Sequence, residues 1–194
     1  MADHAANIIL ASASPRRQEL LARFNLPFKI HPSNDPEYID TSLSPEMLVK
    51  ELAKQKALSV AKKEKGLIIA ADTIVAYQDQ VLGKPSDRED AKRMLKMLSG
   101  NYHHVYTGLA ICHSSSERLM IQSECTEVLF KNLSDAEIER YLASGEADDK
   151  AGAYGYQGLA AVFVSEIRGC YYNVVGFPLN LLNEMLHEFN YTLI

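Results

Sequence analysis

The chain has 194 residues, 47% of them hydrophobic and 23% charged, with a net charge of −5. These are globular values with apolar mass for a sizeable core, in one domain or one domain with two lobes. The acidic balance excludes a general polynucleotide binder, which needs a basic surplus against the phosphate backbone, and no apolar run approaches the about 20 residues of a membrane span.

The first organised stretch is Ile8 to Phe24. Ile8 to Ala11 reads as a buried strand, Ser12 to Ser14 as a small-residue turn, and Ser14-Pro15 as the N-cap and first residue of a helix to about Phe24. The free N–H groups and positive dipole end of such a helix start favour an anion. Arg16 and Arg17 fall in its first turn, where basic residues oppose the dipole. They are either a solvated pair on an ordinary helix or two cations around a multiply charged anion. Leu26 to Pro32 reads as a second strand, and Ser33 to Ser42 as an acidic loop. Asp35 and Asp40 read there as solvated surface residues, and Glu37 as a possible metal or water ligand.

Ser44-Pro45 repeats the cap signal for a helix to about Lys65, stopped by Gly66. Leu48, Val49, Leu52, Ala53 and Val60 make one apolar arc on it. Lys56 lies near the middle of that arc. Its stem either snorkels or carries the ammonium to a negative charge, such as a bound phosphate. Leu67 to Ala76 is apolar on both faces, as suits a central strand. Asp72 interrupts it, and a carboxylate there must pair, bind a metal or serve chemistry. Arg17 and Lys56 are poorly placed for structure, so truncating either should cost little stability.

Tyr77 to Leu82 reads as a turn and returning strand, followed by Gly83, Lys84 and Pro85. Lys84 projects between a strand end and a helix start, a common place for site residues in α/β folds, though an exposed lysine is the simpler reading. Ser86 to Glu89 has the capping-box pattern, which starts a helix at Asp87 that runs to Leu98. His103 and His104 open a strand to Cys112; neighbours on a strand point opposite ways, so they are no metal pair. A strand follows from Arg118 to Phe130, and then a second capping box at Ser134 for a helix ending near Gly145. Asp148 to Gly158 is a loop with glycines at 152, 155 and 158, which is no dinucleotide fingerprint. Leu159 to Ile167 and Cys170 to Val175 read as a hairpin about Arg168-Gly169, and Pro178 starts a last helix to Phe189. Cys112, Cys125 and Cys170 lack metal or disulfide spacing, which points to a reducing cytosol with each thiol as a small buried hydrophobe. The stretch MADHAAN has no basic or apolar region of a signal peptide.

Strands and helices mix throughout, giving an α/β class with a mixed sheet. A basic set of Arg16, Arg17, Lys56 and Lys84 with one carboxylate, Asp72, suits a polyphosphate substrate and a metal-activated water.

The segments LASASPRRQELL, AADT, LGKPSDREDAKRMLKMLSG and DKAGAYGYQG resemble, in order and spacing, those of the Maf family of nucleoside triphosphate pyrophosphatases. The resemblance covers nearly the whole chain as a single Maf-like domain, 1–194. It implies a mixed sheet with flanking helices in two lobes around a cleft, a fold related to the inosine triphosphate pyrophosphatases, and a cytoplasmic homodimer. It also implies hydrolysis of a nucleoside triphosphate to the monophosphate and pyrophosphate with Mg²⁺ or Mn²⁺. By position it puts the proton acceptor on Asp72 and phosphate contacts on Ser12, Arg16, Arg17, Lys56 and Lys84. The metal site falls on Glu37 with Asp72, and specificity on Arg16, Thr73 and Gln157. Thr73 and Gln157 match the subgroup acting on dTTP and UTP rather than the one acting on 7-methyl-GTP. A non-catalytic nucleotide-binding regulator of septum formation is the alternative from another class. It would not need a carboxylate in the central strand.

Overall fold

The structure, a computed structural model, describes residues 7–116 and 118–194. The stretch read for a signal peptide falls, apart from Asn7, on residues 1–6 and lies outside the described residues. Seven strands form one mixed sheet: β1 (Ile8–Leu10), β2 (Phe28–Ile30), β3 (Leu67–Tyr77), β4 (Gln80–Leu82), β5 (Tyr102–His113), β6 (Leu119–Phe130) and β7 (Val164–Arg168). Their order is β2-β1-β3-β5-β6-β7, with β4 paired to β3. β1 runs parallel to both β2 and β3, with Leu10 opposite Ile30 and Ile69. β4 and β7 are antiparallel to β3 and β6. The helices are α1 (Pro15–Leu21), α2 (Pro45–Ala61), α3 (Arg88–Leu98), α4 (Asp135–Leu142), α5 (Tyr171–Val174) and α6 (Leu179–His187). None is long and apolar enough to cross a membrane.

Two compact units divide the chain. The first is Met1–Asp72, Thr107–Glu124 and Gly176–Ile194; the second is Thr73–Tyr106 and Cys125–Val175. In the first, the apolar arc of α2 packs as its spacing predicts: Ala53, Ala57 and Val60 meet Ile9, Ile68, Ala70 and Ala110 in one buried cluster. α2 lies so close to β5 that a Cβ on Gly108 would stand 2.2 Å from the Val49 carbonyl oxygen. No side chain fits between a backbone and a backbone at that distance.

The second unit has its own core, with Leu95 and Leu98 of α3, Ile138 and Tyr141 of α4, and Phe130, Tyr154 and Phe163. Its rings meet edge to face, Phe130 with Tyr154 at 4.8 Å and Tyr141 with Phe163 at 5.1 Å between centroids, the arrangement their quadrupoles favour.

Several expectations are corrected. The helix expected from Asp87 begins one residue later: Asp87 is the N-cap, accepting from the Asp90 N–H, so Ser86 lies outside it. The capping box at Ser134 forms as read, with reciprocal Ser134 and Glu137 bonds. The hairpin over 159–175 does not form. Leu159–Phe163 is a 3-10 helix, β7 takes β6 as its partner, and Tyr171–Val174 is a helical turn. That turn carries the fully buried Asn173, whose amide donates to the Val105 carbonyl and to Thr126 Oγ1. Satisfying a buried amide outweighs extending a strand there. Of the cysteines, Cys112 is buried and burial pushes its thiol up to about 11, whereas Cys125 is exposed and Cys170 is half-buried.

His103 is fully buried, with its Nε2 2.8 Å from the Tyr154 hydroxyl. Desolvation lowers its pKa to about 4. The unfolded chain therefore binds a proton between pH 6.5 and 4 that the folded chain refuses, and stability falls as pH drops through that window. Urea unfolding should show a loss of about 2 kcal/mol from this residue between pH 7 and pH 5. His103→Gln, which keeps a polar end toward Tyr154 but takes up no proton, should flatten that acid limb.

Candidate active site

Parallel pairing of β1 with β3, continued by the Ala11 N–H to Ile69 carbonyl bond of 2.8 Å, brings the turn after β1 level with Ala71 and Asp72. Outside the carboxyl ends of adjacent parallel strands is where open α/β sheets hold ligands. Ser12 sits in that turn, buried, and its hydroxyl organises it: Oγ accepts the Ser14 N–H at 3.2 Å and Arg17 Nη1 at 3.3 Å. Ser14 is the N-cap of α1 by backbone but makes no side-chain cap, so this helix start keeps donors that a capping oxygen would otherwise take. No acidic residue lies in its first turn.

Arg17 is bound into the protein. Its Nε donates to the Gly176 carbonyl at 2.8 Å and its Nη1 to the Ala71 carbonyl at 2.7 Å. Burial pushes its pKa down, Asp72 and Glu37 act against that shift, and Arg16 adds to it. Arg16 and Arg17 thus share one small region with the two carboxylates, and both are half-buried.

The charge in β3 is answered from α2. The strand is buried on either side of Asp72 and Thr73 and opens there. Lys56 reaches across from the middle of the α2 arc and its ammonium hydrogen-bonds Asp72 Oδ1. The same nitrogen lies 3.3 Å from Glu37 Oε1. The side chains of Lys56 and Asp72 are 16% and 14% exposed, so this is a nearly desolvated pair, whereas Glu37 is 36% exposed.

The loop carrying Glu37 is clamped to α2 on both sides of that residue. Asp35 accepts from Ser59 Oγ at 2.6 Å and Lys63 Nζ at 2.8 Å, bonds that lower its pKa, with Lys63 the larger cause. Gln55 takes the Tyr38 N–H at 2.9 Å on its amide oxygen and donates to the Tyr38 carbonyl at 3.0 Å. Asp35 is therefore an exposed surface residue, as read, that also tethers the loop. Gln55 and Ser59, one helical turn apart and flanking Lys56, were the missed functional residues. Their polar i,i+4 spacing beside the buried lysine was the available signal.

The first unit thus brings together Ser12, Arg16, Arg17, Glu37, Lys56 and Asp72. The other three expected residues belong to the second unit. Thr73 follows Asp72 on β3. Lys84 is exposed just after β4, beside Gly83, whose carbonyl accepts the Gly152 N–H at 3.0 Å. Gln157 is exposed in the tight turn closed by the Gly158 N–H to Gly155 carbonyl bond of 3.0 Å. Among the described residues no set of three or more His, Cys, Asp and Glu side chains gathers around a metal position.

An α/β protein with arginine, lysine and serine donors gathered beside a carboxylate at its strand ends is the class these features define. Comparison with known proteins narrows it: the chain belongs to the Maf family, whose model, described as Maf-like protein, matches residues 7–189. It is 50% identical over 186 residues to a dTTP/UTP pyrophosphatase of Ruminiclostridium cellulolyticum, covering 95% of this chain and 96% of that protein. A dTTP/UTP pyrophosphatase of Clostridium botulinum strain Hall is 51% identical over 191 residues, covering 94% and 96%. Among solved structures, a HAM1 protein from Coxiella burnetii matches at TM-score 0.54 and 17% identity over 94% of this chain and 99% of that one. The Staphylococcus aureus Ham1 protein matches at TM-score 0.54, 12% identity and the same coverage. At such identities these two show a shared fold.

The expectation that Arg17 and Lys56 can be truncated at little cost to stability is overturned. Arg17 donates to two backbone carbonyls, and Lys56 balances two carboxylates. Charged hydrogen bonds of this kind contribute about 1.5–3 kcal/mol each, and loss of one partner leaves the others uncompensated. Arg17→Ala and Lys56→Ala should each lower the free energy of unfolding by about 1–3 kcal/mol in urea titrations, and Arg16→Ala should change it by less than about 0.5 kcal/mol.

Proposed function

We propose that this chain hydrolyses dTTP and UTP to the monophosphate and pyrophosphate. The observation that carries the reading is a carboxylate in a central strand, Asp72, held beside an ammonium and facing a cluster of arginine and serine donors. Kinship to the two dTTP/UTP pyrophosphatases, with nearly full mutual coverage, supports the substrate class.

Each residue takes a role its surroundings support. The open N–H groups at the start of α1, Ser12 Oγ and Arg16 hold the phosphate chain, and Lys84 is a further phosphate contact by family position. Arg17, fixed by Ala71 and Gly176, presents a pre-positioned charge that costs no reorganisation when phosphate arrives. Lys56 orients Asp72 through their hydrogen bond. Asp72 accepts the proton of a water whose oxygen forms a bond to the α-phosphorus, while the bond from that phosphorus to the bridging oxygen breaks and pyrophosphate leaves with the electron pair. Thr73 and Gln157 read the base. The Gln157 amide offers one donor and one acceptor, matching the alternating carbonyl and N–H edge of uracil or thymine.

The chemistry of the donor set fits a hard divalent cation. Asp72 and Glu37 already share one positive centre, the Lys56 ammonium, and Mg²⁺ typically takes one or two carboxylates together with substrate phosphates. Asp72 and Glu37 would hold Mg²⁺ or Mn²⁺, which when bound supplies Lewis-acid neutralisation of phosphate charge and a more acidic water. A cytoplasmic location and a homodimer belong to the same proposal.

Pyrophosphate release from a panel of nucleoside triphosphates tests it. dTTP and UTP should be turned over well ahead of ATP, GTP and 7-methyl-GTP, and a preference for 7-methyl-GTP overturns the base assignment. Asp72→Asn should fold and lose about 10²–10⁴ in rate, as expected for removal of a general base; near-normal turnover by the folded variant removes Asp72 from the mechanism. Gln157→Glu, which replaces the amide with an acceptor-only carboxylate, should cut kcat/KM for dTTP and UTP more than for purines.

A further inference from the structure

The turn that carries Gln157 is fastened to a pair of side chains with no part in the reaction described above. Gly155 to Gly158 is a β-turn closed at 3.0 Å, with Tyr156 and Gln157 at its central positions. At one end the Gly155 backbone faces the Tyr141 hydroxyl and counters part of the rise that burial causes in its pKa. Tyr141 in turn donates to Glu146 Oε1 at 3.1 Å. At the other end the second oxygen of that carboxylate, Oε2, accepts the Leu159 N–H at 2.8 Å. One tyrosine and one carboxylate therefore back the turn, and the carboxylate holds it at residue 159.

Both members are held independently of the turn. Tyr141 is buried, edge to face against Phe163, and its hydroxyl pKa is raised by burial first and by the Glu146 charge next. It remains a neutral donor at any working pH. Glu146 follows α4 directly, and its own N–H is taken by Ser144 Oγ at 3.2 Å. The carboxylate also explains Gly158. A Cβ there would stand 2.2 Å from Glu146 Oε2 and 2.4 Å from its carboxyl carbon, so the carboxylate occupies the space a side chain would need.

We infer that Glu146, oriented by Tyr141 and admitted by Gly158, is a positioning residue that fixes the Gln157 turn and so sets pyrimidine selectivity. The inference rests on the reading of Gln157 as the base-reading residue. Selectivity by hydrogen bonding requires the reading amide to be held in one place, because a turn free to shift can satisfy an alternative base edge. Glu146 holds the turn without touching substrate.

The test compares wild type with Glu146→Ala, Glu146→Gln and Tyr141→Phe in two measurements. One is kcat and KM for UTP, dTTP, ATP and GTP; the other is hydrogen exchange of the 155–159 amides in the nucleotide-free protein. Glu146→Ala should speed exchange at Leu159. It should raise KM for UTP and dTTP more than it lowers kcat, and narrow the UTP-to-ATP preference by about tenfold or more, the scale on which small misplacements act. Glu146→Gln, whose amide oxygen can accept the Leu159 N–H while its NH₂ faces the Tyr141 oxygen, should restore the preference to within about threefold of wild type. Tyr141→Phe keeps the packed ring and loses the hydroxyl, and should move both readouts in the direction of Glu146→Ala; it carries the test if Glu146→Ala does not fold. A preference unchanged in a variant with faster exchange overturns the inference, as does an equal loss across all four nucleotides. Wild type without a pyrimidine preference fails the function reading itself, and the inference falls with it, whatever the exchange shows.

Discussion

The Lys56 ammonium between Asp72 and Glu37 is the interaction on which the rest depends. A carboxylate in an apolar strand and a lysine in an apolar helical arc are each costly alone, and each cancels the other's cost only if α2 lies over β3 in one register. That requirement ties sheet to helix more sharply than apolar packing, which tolerates small slides. Two carboxylates share that one ammonium, and Arg17 lies within electrostatic reach of both.

The cations differ in kind. Arg17 is locked by two carbonyls and the Ser12 hydroxyl, so its charge is permanent furniture of the site. Arg16 is half-buried and Lys84 exposed, and among the described residues neither takes part in an ion pair.

Much of this was legible in the chain itself. The Ser-Pro starts of α1 and α2, the apolar arc around Lys56 and the lone aspartate of β3 each follow from capping, helical period and the cost of burying charge, and each led to a residue of the observed cluster. What escaped had no local signature. Arg17 reads as a misplaced cation because its partners, Ala71 and Gly176, are backbone carbonyls far away in sequence. The segment after Gly169 has strand-like composition, and the need to satisfy one buried amide, Asn173, turns it helical. Asp35 is exposed as read, but its tethering role is silent in the sequence because Ser59 and Lys63 stand a full helix away.

The contact between Gly108 and Val49 has a reach beyond its own neighbourhood. Val49 precedes Lys56 by two helical turns, about 10 Å of stiff rod. A methyl group at Gly108 would have to lift the near end of α2 off β5. A helix tilts as a body, so the displacement would appear at the lysine as a change of aim toward Asp72. The absence of a side chain on a distant strand is thus a calibration of the charge geometry, and a substitution far from any reacting atom would be felt as an enzyme out of tune rather than as a protein out of shape.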